Sequence, residues 1–119
     1  MKKTLVLGAS PNEARYSNKA VNKLRENNFE VIAVGIKDGK IADVDIIKGQ
    51  PKITDIHTIT IYLGEERQKE YYNYILSLKP KRIVFNPGTE NSEFQKLARQ
   101  NDIEVVQNCT LVMLSFGIF

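Results

Sequence analysis

Short apolar runs punctuate this chain at nearly regular intervals, with polar stretches of helical periodicity between them. Thr4 to Leu7 is such a run, and it stops at Gly8, so it reads as a buried strand followed by a tight turn. A loop, Ala9 to Tyr16, follows. Ser17 is placed to cap a helix whose apolar positions Ala20, Val21 and Leu24 recur at helical spacing, and Asn27-Asn28 ends it. Phe29 to Val34 is a second β-branched run. Strand, helix and strand in that order form a βαβ unit, which predicts a parallel pair joined by a right-handed crossover.

The segment after Asp38-Gly39 is ambiguous, with one short edge strand expected near Val44 to Ile47. The alternation then resumes at Thr58 to Leu63. From Gly64 a helix is expected, with Glu65, Glu66, Arg67, Lys69 and Glu70 on a solvated face and Tyr71, Tyr72, Ile75 and Leu76 on the buried one. Arg82 to Phe85 is a strand, Asn86-Pro87-Gly88 a turn, Ser92 to Gln100 a helix and Ile103 to Val106 the last strand. The apolar tail Leu111 to Phe119 is expected to pack back on the fold. This alternation predicts a mostly parallel, doubly wound, Rossmann-like α/β sheet in three α/β/α layers, with strand order 3-2-1-4-5-6.

A chain of 119 residues suits one domain, expected to span residues 1–119, and its 42% hydrophobic content can fill a core. The formal charge of +3 is scattered along the chain, which favours a small anionic ligand over nucleic acid. The single cysteine, Cys109, cannot form an internal disulfide. No apolar run approaches the roughly 20 residues of a membrane helix. Cytoplasmic placement is the default expectation, and a protein partner or homo-oligomer is left open.

In such a sheet the loops leaving the carboxyl ends of the strands line the ligand crevice. Five converge there: Gly8 to Ser17, Val34 to Lys37, Leu63 to Glu65, Asn86 to Asn91 and Asn108-Cys109. The first is the strongest candidate. Gly8 permits close backbone approach, Ser10 and Ser17 carry hydroxyls, Arg15 supplies a positive charge, and a helix amino terminus adds N–H donors for phosphate. Tyr16 lies in the same loop as a ligand neighbour. The dinucleotide fingerprint is not matched, because Ser10 and Glu13 stand where its second and third glycines belong. Lys37, in place of a ribose-binding carboxylate, suits a phosphorylated ribose or a plain solvated turn.

The strings Leu7-Gly8-Ala9-Ser10-Pro11, Arg15-Tyr16-Ser17, Asn86-Pro87-Gly88-Thr89-Glu90-Asn91 and Asn108-Cys109-Thr110-Leu111-Val112 resemble the small CoA-binding domain family. That family is similar to the CoA-binding Rossmann domain of the succinyl-CoA synthetase α subunit. The resemblance implies coenzyme A or an acyl-CoA as ligand. It puts Gly8, Ser10, Arg15 and Ser17 at the phosphates, Val34, Gly35 and Ile36 beside the nucleotide, and Asn86, Pro87, Gly88, Thr89, Glu90, Asn108 and Cys109 around the rest of the crevice; Ala9 and Leu63, in the converging loops, are candidate cofactor contacts as well. Family members often carry Val-Asn-Pro where this chain has Val34-Gly35-Ile36.

The synthetase's phosphorylated histidine belongs to a following domain, so its ligase reaction does not transfer with the fold. His57 precedes a strand and belongs at the opposite edge from the crevice. Cys109 faces the crevice side, though a lone cysteine is more often a small buried hydrophobe. No paired carboxylates, metal-ligand cluster or serine-histidine-acid set is expected where the loops meet. The expectation is a CoA-binding module without catalysis of its own. The alternatives are a small enzyme acting on an acyl-CoA or other nucleotide, and a structural or regulatory subunit with a vestigial pocket.

Overall fold

A computed structural model describes residues 2–119 as a seven-stranded sheet with helices on both faces. The elements in chain order are β1 (Thr4–Leu7), α1 (Tyr16–Glu26), β2 (Val31–Val34), β3 (Lys40–Ile41), β4 (Val44–Ile47) and β5 (Thr58–Ile61). They continue with α2 (Glu65–Gln68), α3 (Tyr72–Leu78), β6 (Arg82–Phe85), α4 (Ser92–Gln100), β7 (Glu104–Gln107) and α5 (Thr110–Ser115). The strands lie in the order β3-β4-β2-β1-β5-β6-β7. Every pairing is parallel except β3 with β4. Leaving out the two-residue β3, the order is the expected 3-2-1-4-5-6, and it reverses direction between β1 and β5.

The reversal follows from the handedness of the crossovers. The chain leaves β1 toward β2 and leaves β5 toward β6, on opposite sides of the starting pair, so right-handed connections put their helices on opposite faces. One face packs Val21 and Leu24 of α1 and Met113 and Leu114 of α5 against Val6 and Ala33. The other packs Tyr74 and Ile75 of α3 and Phe94 and Ala98 of α4 against Leu5, Ile59 and Phe85. Strands β1, β5 and β6 are buried along their whole length, which is why they read as continuous apolar runs and not as alternation.

Two expectations change. Val44–Ile47 is not the edge, because the hairpin partner Lys40–Ile41 pairs antiparallel to it and takes that place. The helix after Gly64 is broken: α2 ends at Gln68, a 3₁₀ turn covers Lys69–Tyr71, and α3 begins at Tyr72. The tail is only partly packed. Phe119 is 5% exposed, edge-on to Phe29 and 4.4 Å from the Arg82 guanidinium, whereas Phe116 and Ile118 face outward.

At the amino-terminal edge of the sheet the Thr58 hydroxyl accepts from Arg82 Nε at 2.7 Å and lies 2.7 Å from His57 Nδ1. That hydroxyl has its own proton to donate to a neutral imidazole. Burial, then the charges of Arg82, Lys2 and Lys81, push the His57 imidazole below its ordinary value, with Glu104 opposing. An unfolded chain therefore takes up the proton first as pH falls, and stability declines from neutrality through the ordinary histidine range. Urea denaturation across about pH 7.5 to 5.5 is expected to show this decline, and His57→Gln is expected to flatten it.

Candidate functional site

The loop after β1 is fixed by its own backbone before any ligand is considered. Gly8 has φ +94°, and a Cβ there would stand 3.0 Å from the Tyr62 carbonyl and from Leu63 Cδ2. The N–H groups of Gly8 and Ala9 both donate to the Val34 carbonyl at 2.9 Å, which ties the loop to the end of β2. Beyond it Ser10 Oγ accepts from the Asn12 N–H, Asn12 Oδ1 accepts from the Ala14 N–H, and the Arg15 N–H donates to the Asn12 carbonyl. Asn18, 3% exposed in α1, reaches back to hold the Ser10 carbonyl at 2.9 Å. The chain thus reaches Arg15 along a fixed path.

Arg15 is the residue from which α1 starts, and no side chain caps that start. Ser17 is not the cap: it lies inside the first turn and is 4% exposed. The first backbone N–H groups of a helix have no intrahelical acceptor. Here Tyr16 and Ser17, which carry two of them, line a cleft of about 580 Å³ over the β1/β5 reversal. This volume falls in the range of small-molecule and cofactor pockets.

The cleft gathers most of the residues singled out from sequence. Gly8, Ala9, Ser10, Arg15, Tyr16 and Ser17 form one side, Val34, Gly35, Ile36 and Lys37 one end, and Leu63, Pro87 and Gly88 the opposite end. Gly35 is required by proximity, since a Cβ on it would fall 2.1 Å from the Ala9 carbonyl oxygen. The departure from Val-Asn-Pro therefore accompanies a loop backbone seated where a side chain would stand.

Four residues expected around the crevice are not among those lining it. Asn86 is 2% exposed and turned inward. Its Nδ2 donates to Thr60 Oγ1 and the Ile61 carbonyl, and its Oδ1 accepts the Thr110 N–H at the start of α5. Glu90 is exposed and accepts from the Gly88 N–H, bracing the turn. Asn108 is also exposed, its Oδ1 accepting from the Cys109 N–H. Cys109 precedes α5 and is partly exposed, so it is not the buried small hydrophobe that lone cysteines usually are.

Sequence reasoning passed over three wall residues: Tyr62 falls in an expected strand, Tyr71 on the buried side of an expected helix and Arg67 on its solvated face, yet all three line the cleft, beside Thr89 of the expected Asn86 to Asn91 loop. Arg67 lies in α2 and Tyr71 ends the 3₁₀ turn that follows it, so the cleft is walled by both sides of the break in this helix. Burial pushes the Tyr62 phenol up to about 12, so it stays neutral at physiological pH. Among the lining residues Arg15, Lys37 and Arg67 are cationic and none is a carboxylate. None of the three makes a salt bridge among the described residues. No group of three or more potential metal ligands occurs among the described residues.

A family model described as CoA binding domain matches residues 2–115. The chain belongs to that family. A crystal structure of an uncharacterized protein is 50% identical, covers 100% of this chain and 98% of its own, and superposes with a TM-score of 0.97. A Thermus thermophilus protein is 20% identical, with 99% and 90% coverage and a TM-score of 0.85. A hypothetical protein from Pyrococcus horikoshii OT3 is 21% identical, with 98% and 83% coverage and a TM-score of 0.86. These two share the fold. No curated protein matches the chain. No helix of this CoA-binding domain is long and apolar enough to cross a membrane, among the described residues.

Asn86→Ala is expected to lower unfolding free energy by about 2 to 3 kcal/mol in urea titration, because the Thr110 N–H and the Ile61 carbonyl lose buried partners. Gly35→Ala is expected to cost about 1 to 3 kcal/mol by the same measurement, since the Ala9 carbonyl must move aside.

Proposed function

We propose that this domain binds coenzyme A or an acyl-CoA in the cleft over the β1/β5 reversal. One observation carries the reading: an uncapped helix start and three unpaired cations open on one cavity whose lining has no carboxylate. Such a wall attracts phosphate and rejects neutral ligands of the same shape, because the cations and N–H donors stay under-partnered until an anion arrives. The donor set suits a ligand rich in phosphoryl groups, and the cavity can hold a large part of a nucleotide.

In this reading the backbone N–H groups at the start of α1 and the Arg15 guanidinium hold the phosphates. Ser10 and Ser17 add hydroxyls, and the Val34 to Lys37 end borders the nucleotide, with Lys37 beside a phosphorylated ribose. Leu63, Pro87 and Gly88 offer the apolar path for the remainder of the ligand. The domain acts by binding, as a carrier, sensor or partner of an acyl-transfer enzyme; family membership and the electrostatics of the cleft support the CoA binding on which that role rests. Gly35, close-packed on the loop, supports a built pocket over a vestigial one.

Calorimetric titration with CoA tests this. Binding is expected for the wild-type protein, and Arg15→Ala is expected to weaken it by about 1.5 to 3 kcal/mol through loss of a charge-assisted contact. Equal affinity in the two proteins would remove Arg15 from the site, and no uptake by the wild type would remove the CoA reading.

A further inference from the structure

Arg67 stands out among the charges of its segment. Glu65, Glu66, Lys69 and Glu70 surround it in sequence, and Lys69 pairs with Glu66 at 3.2 Å, yet Arg67 makes no ion pair among the described residues and lines the cleft. Its backbone is held in place, with the Arg67 N–H donating to the Gly64 carbonyl at 3.1 Å. The next residue, Gln68, is 0% exposed. Its Nε2 donates to the Leu63 carbonyl at 2.9 Å and to the Thr89 carbonyl at 2.7 Å, and its Oε1 accepts from Asn91 Nδ2 at 2.9 Å. This buried amide fixes the rotation of α2 about its axis, and so fixes the direction in which Arg67 leaves it.

The two crossovers flank the cleft from opposite faces of the sheet. Arg15 starts the helix on one face, and Arg67 sits in the first turn of the helix on the other. The switch point between β1 and β5 is where a doubly wound sheet receives phosphate. A lone phosphoryl group on the α1 side is met by Arg15 and the backbone donors there. A diphosphate carries a second set of oxygens toward the other wall, where the only cation between Gly64 and Thr89 on the lining is Arg67.

We propose that Arg67 is a second phosphate-binding residue, which closes on the diphosphate bridge of the ligand from the face opposite Arg15. This rests on the CoA reading and names which part of that ligand the far wall recognises. Guanidinium geometry matters here, because its planar fork can give two parallel hydrogen bonds to one phosphoryl group, which an ammonium cannot.

The test is calorimetric titration of wild type, Arg67→Gln and Arg67→Lys with two probes, CoA and dephospho-CoA, which share the diphosphate and differ in the ribose 3′-phosphate. Arg67→Gln is expected to weaken both probes by the same factor, about tenfold or more. Arg67→Lys is expected to fall between wild type and Arg67→Gln. Arg67 is exposed, so both variants are expected to melt at the wild-type temperature. A loss confined to CoA would place Arg67 on the 3′-phosphate and overturn the proposal, as would unchanged affinity for both probes. Wild-type protein that takes up neither probe would instead remove the CoA reading on which this one stands.

Discussion

The carboxyl edge of this sheet is held together by buried side-chain amides, and the cleft depends on them. Strand hydrogen bonding ends at Leu7, Ile61 and Phe85, and beyond those points the loops have little regular backbone pairing to fix one against another. Asn86 joins β5, β6 and α5 through three contacts. Gln68 joins the loop after β5 to the loop after β6, and Asn91 links Gln68 to Tyr72 while its own side chain caps α4. Each amide offers both donors and an acceptor, so one side chain can bridge a carbonyl and an N–H from different segments. In a low-dielectric interior such bridges are strong when complete and costly when broken, which gives the loops one arrangement.

The rigid edge explains how a short chain presents a charged cleft. Arg15, Lys37 and Arg67 arise from three separate connections, and nothing local to any of them places the others nearby. The reversal of strand order brings the first and third to opposite sides of one crevice, and the Val34 carbonyl, accepting from both Gly8 and Ala9, draws the end of β2 against the same loop. Mutual repulsion among cations is tolerable because each side chain reaches solvent while its backbone is anchored.

The central strands were legible in the sequence because they are buried on both faces and therefore appear as runs of β-branched and apolar residues, as at Thr4–Leu7 and Thr58–Ile61. The first ligand loop was legible for a similar reason, since Gly8 directly follows such a run. What escaped was decided by tertiary contact. Gln68 lies in sequence between Arg67 and Lys69, both expected on a solvated face, and its complete burial depends on the Leu63 and Thr89 carbonyls that only the folded chain brings to it. Asn86 occupies a loop position suited to a ligand contact, but its amide is consumed by Thr60, Ile61 and Thr110. The break after Gln68 has no glycine or proline to announce it. Ser17 had the right chemistry for a cap, while the helix begins two residues earlier than its side chain could serve.

The two margins of the sheet differ in how they meet other chains. On one side β3 contributes only Lys40 and Ile41, a strip too short to template a foreign strand. On the other, β7 keeps an unpaired outer border four residues long, with exposed Glu104 and Gln107 at its ends and half-buried valines between. A charged residue at the start of that border and its brevity discourage the growth of intermolecular ladders. Glu104 also lies close enough to influence His57 and Arg82, which makes one exposed carboxylate relevant both to solubility and to the charge balance at the far end of the sheet.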